Sequence, residues 1–271
     1  MSNHNFYYRD NDFNPGQSAE YTLLVQVGAT SLTYLVASEN KLLVLENDID
    51  LKELTGSSEA NKLLSAEYKQ RVIGLPQNGF TFIPSSLFKA EGIANLARFL
   101  DVKATEKVFA QRLDTENMVI YKLDESIVAQ ISDKYDLNDA VFGPKCWIRA
   151  IAANSPSDEA LYLNINKDRV ELLNFKGGNL RFYNNFEFKN RDELVYFTSL
   201  VAGELQLQPQ NTTLILSGDV ETDDNNSARL AEFFGKVELN DLNLLELPAE
   251  IASHTVLTLT ALSLCGSLEA H

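Results

Sequence analysis

The sequence predicts an α/β protein of two similar lobes, each opening with a three-stranded antiparallel meander that runs on into a helix. Three observations lead there. YTLLVQVGATSLTYLVASENKLLVLEND at 21–48 holds three β-rich runs broken only at Gly28 and at Glu39-Asn40, and breaks that short make antiparallel hairpins. EALYLNINKDRVELLNFKGGNLRFYNNFEF at 159–188 repeats the plan, with turns at Asn166-Lys167-Asp168 and Gly177-Gly178. The two segments run in step: Gly28 lies opposite Asn166 and Val44 opposite Phe182, each pair 138 positions apart. A plan repeated at constant offset indicates gene duplication, and two such domains imply a cleft between them.

The remaining elements follow in order. Residues 1–20 are polar with scattered aromatics (Phe6, Tyr7, Tyr8, Phe13) and form a tail that packs on the body. SSEANKLLSAEYKQ has helical spacing at Ala60, Leu63, Leu64 and Tyr68. GFTFIPSSLF reads as a strand ending at Pro84, followed by a helix over about 85–99. EKVFAQRLDTENMVIYKL reads as a hairpin and ESIVAQISDKY as a helix. GPKCWIRAIAANSPS is a linking helix opened by Pro144 and closed by the Asn-Ser-Pro-Ser turn, with Trp147 packed against the sheet. The tail (1–20) is thus followed by a first lobe at 21–154 and a second at 155–271. In the second lobe, RDELVYFTSLVAGELQL places Leu194, Phe197, Val201 and Leu205 on one helix face. TTLILSGDV is the nearly all-apolar run of a central strand covered on both faces. SARLAEFFG and LPAEIASHTVLTLTALSLCG are two further helices around the strand KVELN.

Composition narrows the function. The 271 residues carry 38 acidic against 23 basic side chains, a net charge of −15. A surface so negative repels phosphate backbones, and Lys and Arg are scattered singly, so nucleic-acid binding is not expected. No stretch reaches the roughly 20 apolar residues of a membrane span, and the N-terminus lacks the pattern of a signal peptide. A cytoplasmic location is therefore expected, with Cys146 and Cys265 reduced and buried on apolar helical stretches.

Three segments carry a resemblance: 21–47, GFTFIPSSLF at 79–88, and RDELVYFTSLVAGELQLQPQNTTLILSGDV at 191–220. In that order they resemble the Bacteroidetes family DUF3822, and the two-lobe plan resembles the superfamily of acetate and sugar kinases, Hsp70 and actin. The resemblance implies an actin-like (ribonuclease H-like) fold of duplicated domains with mixed sheets. In active members of that superfamily, ATP sits on the first hairpin of each lobe and on a glycine pair, and carboxylates hold Mg²⁺. The first Asp-x-Gly position is here Gln26-Val27-Gly28, followed by Ala29-Thr30-Ser31. The second is Asn164-Ile165-Asn166-Lys167, and the glycine pair is reduced to Gly218 in Leu216-Ser217-Gly218-Asp219. Gly28, Thr30, Asn164, Asn166, Gly218 and Asp219 thus form the candidate vestigial nucleotide cleft. Each also has an ordinary reading: Gly28 as a hairpin glycine needing φ > 0, Asn166 as a turn asparagine, and Ser-Gly-Asp as strand-end turn chemistry.

Other chemistry is weaker. No G-x-S-x-G, P-loop or G-x-G-x-x-G motif occurs. The histidines (His4, His254, His271) have no metal-ligand spacing, and His254 reads as a helix-face residue. The acidic run Glu221-Thr222-Asp223-Asp224 reads as a solvated loop. The expectation is a non-catalytic actin-like scaffold or binding protein with another protein as partner and no cofactor or metal. The alternatives are an ATPase or small-molecule kinase with an unorthodox site, or nucleotide binding without turnover.

Overall fold

In the computed structural model, residues 6–52, 57–76 and 78–266 are described; His4 and His271 lie outside them. The chain forms two compact units, one built of residues up to Trp147 and from Leu259 onward, the other of Ile148–Thr258.

The first unit opens with β1 (Tyr7–Arg9), β2 (Thr22–Val27), β3 (Ser31–Ser38) and β4 (Lys41–Asp50). The meander is as expected: β2 pairs antiparallel with β3, and β3 with β4. The tail packs on it through β1, which pairs antiparallel with β4. Next come α1 (Glu59–Ser65), capped by the Ser58 side chain, and β5 (Gln70–Leu75). Helix α1 stops at Ser65, so Tyr68 lies beyond it and donates its hydroxyl to the Leu63 carbonyl. Strand β5 runs parallel to β2.

Strand β6 (Phe80–Pro84) ends at the expected proline, but no continuous helix spans 85–99. That stretch is a chain of 3-10 turns around the single-turn helix α2 (Ile93–Leu96). Gly92 interrupts it, at a helix cost of about 1 kcal/mol against alanine, and its apolar residues do not share one face. Phe88, Leu96 and Leu100 pack on Ile83 and Ile120, whereas Leu87 and Phe99 are exposed. Strands β7 (Glu106–Arg112) and β8 (Asn117–Asp124) form the expected hairpin and complete a small sheet of order β6-β8-β7. Helix α3 (Glu125–Ser132), capped by Asp124, and β9 (Ala140–Phe142) follow. The main sheet has the order β1-β4-β3-β2-β5-β9, with its last two strands parallel to β2. Helix α4 (Gly143–Ala152) is the linking helix, and its Trp147 is buried.

The second unit repeats the arrangement in β10 (Ala160–Asn166), β11 (Arg169–Lys176) and β12 (Asn179–Glu187). These strands begin 138 positions after β2, β3 and β4. Gly177 and Gly178 both have positive φ, as a tight hairpin between β11 and β12 requires. Then come α5 (Arg191–Glu204), β13 (Thr213–Gly218), α6 (Asn225–Ala231), β14 (Lys236–Leu239) and α7 (Ser253–Thr260). The sheet order β12-β11-β10-β13-β14, with β13 and β14 parallel to β10, matches β4-β3-β2-β5-β9 of the first unit. One face of this sheet is apolar. Leu161, Leu163, Leu172, Leu214 and Leu216 are fully covered there by Leu194 and Val201 of α5 and Leu230 of α6. The acidic run is partly structural, because Asp224 caps α6 by accepting from the Asn226 and Ser227 amides.

The expectation of reduced cysteines is overturned. Cys146 and Cys265 are joined in a disulfide, with Cα atoms 5.8 Å apart, inside the range of about 4.4–6.8 Å that a disulfide spans. The two lie 119 positions apart in sequence, and the first unit brings α4 and the turn Ala261–Cys265 together. Cys146 is buried as expected, while Cys265 is half-buried. His254 is a buried group whose Nε2 lies 2.9 Å from the Val220 carbonyl, so its helix face is an inward one. Among the described residues, no helix is long and apolar enough to cross a membrane.

Candidate functional site

The apolar runs of the second unit are interrupted by polar residues that strand register places in one line. Asn164 of β10 stands opposite Glu171 of β11 and opposite Ser217 of β13. Asn240, one residue past β14, continues the ladder by donating its amide to the Leu216 carbonyl at 2.8 Å. Directly opposed residues share a sheet face, so Glu171, Asn164, Ser217 and Asn240 form a transverse row on the face away from the leucine core. All four are buried. The Asn164 amide donates to one Glu171 oxygen, and the Tyr183 hydroxyl donates to the other at 2.6 Å. Among the described residues, Asn164 Oδ1, Ser217 Oγ and Asn240 Nδ2 have no hydrogen-bond partner. Buried polar atoms are nearly always bonded, so three consecutive ones left open in one row mark this face.

Gly218 ends β13 with φ +89°, a left-handed conformation that a side chain adopts only under strain. A Cβ there would collide with the Ile165 carbonyl and stand 2.8 Å from Asn164 Oδ1. The turn aims the Asp219 amide at the Ile165 carbonyl, 2.6 Å away, and leaves the Asp219 side chain exposed. Asn164, Gly218 and Asp219 therefore adjoin one another. Asn166 sits exposed at the end of β10, and the left-handed residue of that turn is Lys167, φ 41°, not the asparagine.

In the first unit Gln26 stands opposite Thr33 of β3 and Gly74 of β5 and is half-buried. Gly28 does not have positive φ, which corrects the reason given for it from sequence. Its amide donates to the Ser31 carbonyl at 2.7 Å, and a Cβ would meet that carbonyl oxygen at 3.0 Å. Close backbone approach is what selects glycine here. Thr30 is exposed, and its carbonyl accepts from the Leu51 amide. Asp48 accepts from the Ser31 hydroxyl at 2.8 Å. Among the described residues no group of three or more His, Cys, Asp or Glu side chains is arranged to hold a metal ion.

Sequence reasoning picked out Asn164 and Gly218 and missed Glu171, Tyr183 and Asn240. A signal was present: Asn164 and Glu171 are polar residues inside the runs LYLNIN and VELLNF, and alternation places both on one face. A cavity of about 170 Å³ opens beside Asn240. It is walled by Ile151, Tyr162 and Ile215, with Glu238 and Asp241 among its polar residues. Burial pushes the Tyr162 phenol above its usual range.

Known structures share this architecture. A protein of Bacteroides thetaiotaomicron VPI-5482 with actin-like ATPase fold and unknown function superposes with a TM-score of 0.71 at 21% identity, over 86% of this chain and 95% of that one. A chain of the PilM–PilN type IV pilus biogenesis complex superposes with a TM-score of 0.61 at 12% identity, over 92% of this chain and 98% of that one. No curated protein matches the chain significantly in sequence. The fold is that of the actin-like ATPases, and, with the family model matching residues 10–237, the chain belongs to DUF3822, a family of proteins of unknown function.

Proposed function

We propose that the chain is a non-catalytic actin-like binding protein, a duplicated pseudoenzyme of the cytoplasm that holds a protein partner and does not turn over ATP. One observation carries this reading. Where the actin-like plan would place its two acids stand Gln26 and Asn164, and Asn164 is buried and committed to Glu171. A neutral amide is a poor Mg²⁺ ligand and no base for an attacking water. The fold likeness to a chain of a pilus biogenesis complex supports the use of such a body to hold a partner. The charge of −15 argues against a nucleic acid as that partner.

A second reading has its own support. Gly218 keeps the backbone turn at the strand end, and Asp219 beside it is an exposed carboxylate. Those features suit nucleotide binding without turnover, or an ATPase or kinase with an unorthodox site. Thermal unfolding with ATP, with ADP and without nucleotide, each with Mg²⁺, separates the readings, because a ligand that binds only the folded state raises the melting temperature. The binding-protein reading predicts one melting temperature in all three. A rise with both nucleotides favours binding without turnover, and a rise accompanied by ADP release favours the enzyme.

A further inference from the structure

The two units treat the same sheet edge differently. In the first, β4 is covered on its outer side by β1, which sets Tyr7, Tyr8 and Arg9 against Glu46, Leu45 and Val44. The flanking bonds show which groups face outward: the Leu43 carbonyl accepts from the Asp10 amide, and the Asn47 amide donates to the Phe6 carbonyl. In the second unit the counterpart strand β12 ends the sheet, and among the described residues no strand lies beyond it. The correspondence extends to a shared bulge. Leu43 is skipped between the pairs Val36–Val44 and Ala37–Leu42, and Arg181 between Asn174–Phe182 and Phe175–Leu180. Arg181, Tyr183 and Asn185 therefore turn their backbone groups to the edge, as Leu43, Leu45 and Asn47 do. There the Asn185 amide donates to the Asn184 side chain at 2.9 Å. An edge strand of this length, 9 residues, is a template for pairing with another strand.

We propose that β12 pairs with β12 of a second copy of this chain, antiparallel and about a two-fold axis at Asn184, joining two second-unit sheets into one. The sequence Arg181-Phe182-Tyr183-Asn184-Asn185-Phe186-Glu187 is complementary to itself when reversed. An axis at Asn184 sets Arg181 against Glu187, Phe182 against Phe186 and Tyr183 against Asn185, and each pair occurs twice. Directly opposed residues share a face and interact. Phe182 and Phe186 both pack on the leucine core, so the aromatic pairs extend that core across the axis. Arg181 is exposed and has no ion-pair partner among the described residues, and Glu187, also exposed, accepts from Arg169 at 3.2 Å. The neighbouring registers lose this match. An axis at Asn185 sets Arg181 against Lys189 and Asn184 against Phe186, and an axis at Tyr183 sets Phe182 against Asn184 and Arg181 against Asn185. The pairing uses the backbone and exposed side chains of β12, so it depends neither on nucleotide nor on the binding-protein reading.

Two measurements on the full chain test this. Cys146 and Cys265 are bonded to each other, so Asn184→Cys introduces a free thiol at an exposed position. At the axis it would face its own copy in a non-hydrogen-bonded pair, with Cα atoms about 4.5 Å apart, within reach of a disulfide. Mild oxidation should convert this variant to a covalent dimer and leave Glu204→Cys, exposed on α5, monomeric. Sedimentation equilibrium across the micromolar range should show the wild type passing from monomer to dimer. Arg181→Glu and Glu187→Arg should each self-associate at least about tenfold more weakly, because each sets like charges opposite twice. Mixed, the two variants should recover the wild-type association, because every 181–187 pair is then opposite in charge. Arg181→Glu and Asn184→Cys keep the test decisive should Glu187→Arg, beside Arg169, unfold. A wild type that stays monomeric, leaving the edge to a strand of another protein, would overturn the proposal. So would equal cross-linking of Asn184→Cys and Glu204→Cys, an association that Arg181→Glu does not weaken, or folded charge variants whose mixture does not recover it.

Discussion

At position 164 an amide does what a carboxylate cannot. It donates to Glu171 in a buried setting, where a carboxylate would have no hydrogen to donate and would bring a second negative charge to close range of the first. Asn164→Asp restores the acid of the active superfamily pattern and is therefore predicted to destabilise the fold, by about 3 kcal/mol at pH 7.5. The introduced carboxyl would have its folded pKa raised above the unfolded value of about 3.9. Its protonated form would be the favoured one in the folded state, so the deficit should shrink as pH falls from 7.5 to 5. Urea unfolding of both proteins at the two pH values measures this, and a deficit that grows toward pH 5 would contradict it. At this scale the sequence was legible where a residue type breaks a pattern. Asn164 stands out in an apolar run, and Gly218 has the positive φ that strand-end glycines suggest. It misled where a turn has several solutions: Gly28 is selected by close approach to Ser31, and Lys167 takes the left-handed turn position next to Asn166.

Among elements, the meanders were readable because β-rich runs joined by turns of two or three residues admit few alternatives. Strand β5 was not, since RVIGLPQ is short and its Gly74 and Pro76 imitate a loop. It is a strand because β2 offers a parallel edge, and its glycine is there because Leu262 packs where a side chain would begin. The 85–99 segment fails as a helix for the opposite reason: its apolar residues suit helical spacing in number but not in direction. A contact that no local pattern announces joins the end of α3 to α1. Lys134 Nζ donates to Asn61 Oδ1, and burial lowers its pKa from 10.5 to about 8. Between those values the unfolded chain holds more protons than the folded one, so this group makes stability rise with pH across that window. Lys134→Met should remove that rise. The difference in unfolding free energy between wild type and variant should move in favour of wild type from pH 8 to pH 10, and a constant difference would show that the lysine is not depressed.

Over the whole molecule, the disulfide is the feature that sequence reasoning placed wrongly. Two cysteines 119 positions apart say nothing about distance until the first unit brings α4 and the Ala261–Cys265 turn together. The bond closes a chain loop that contains the entire second unit. A closed loop of about 100 residues restricts the unfolded chain by as much as about 4.7 kcal/mol. Reduction with dithiothreitol is predicted to lower the melting temperature, and Cys265→Ser should lower it comparably and abolish the response to reductant. Equal melting temperatures with and without reductant would contradict this.

The central claim is that an actin-like body has kept its two-lobe plan and lost the chemistry. Its most direct test is Mg²⁺-dependent ATP hydrolysis by the purified chain, read as phosphate release against a buffer blank. Losing one well-placed electrostatic element costs on the order of 10²–10³ in rate, and the acids are replaced at both Gln26 and Asn164. The account predicts release indistinguishable from the blank. Release above the blank that Asp219→Ala abolishes, with the variant still folded, would contradict it and make Asp219 the acid of a working site.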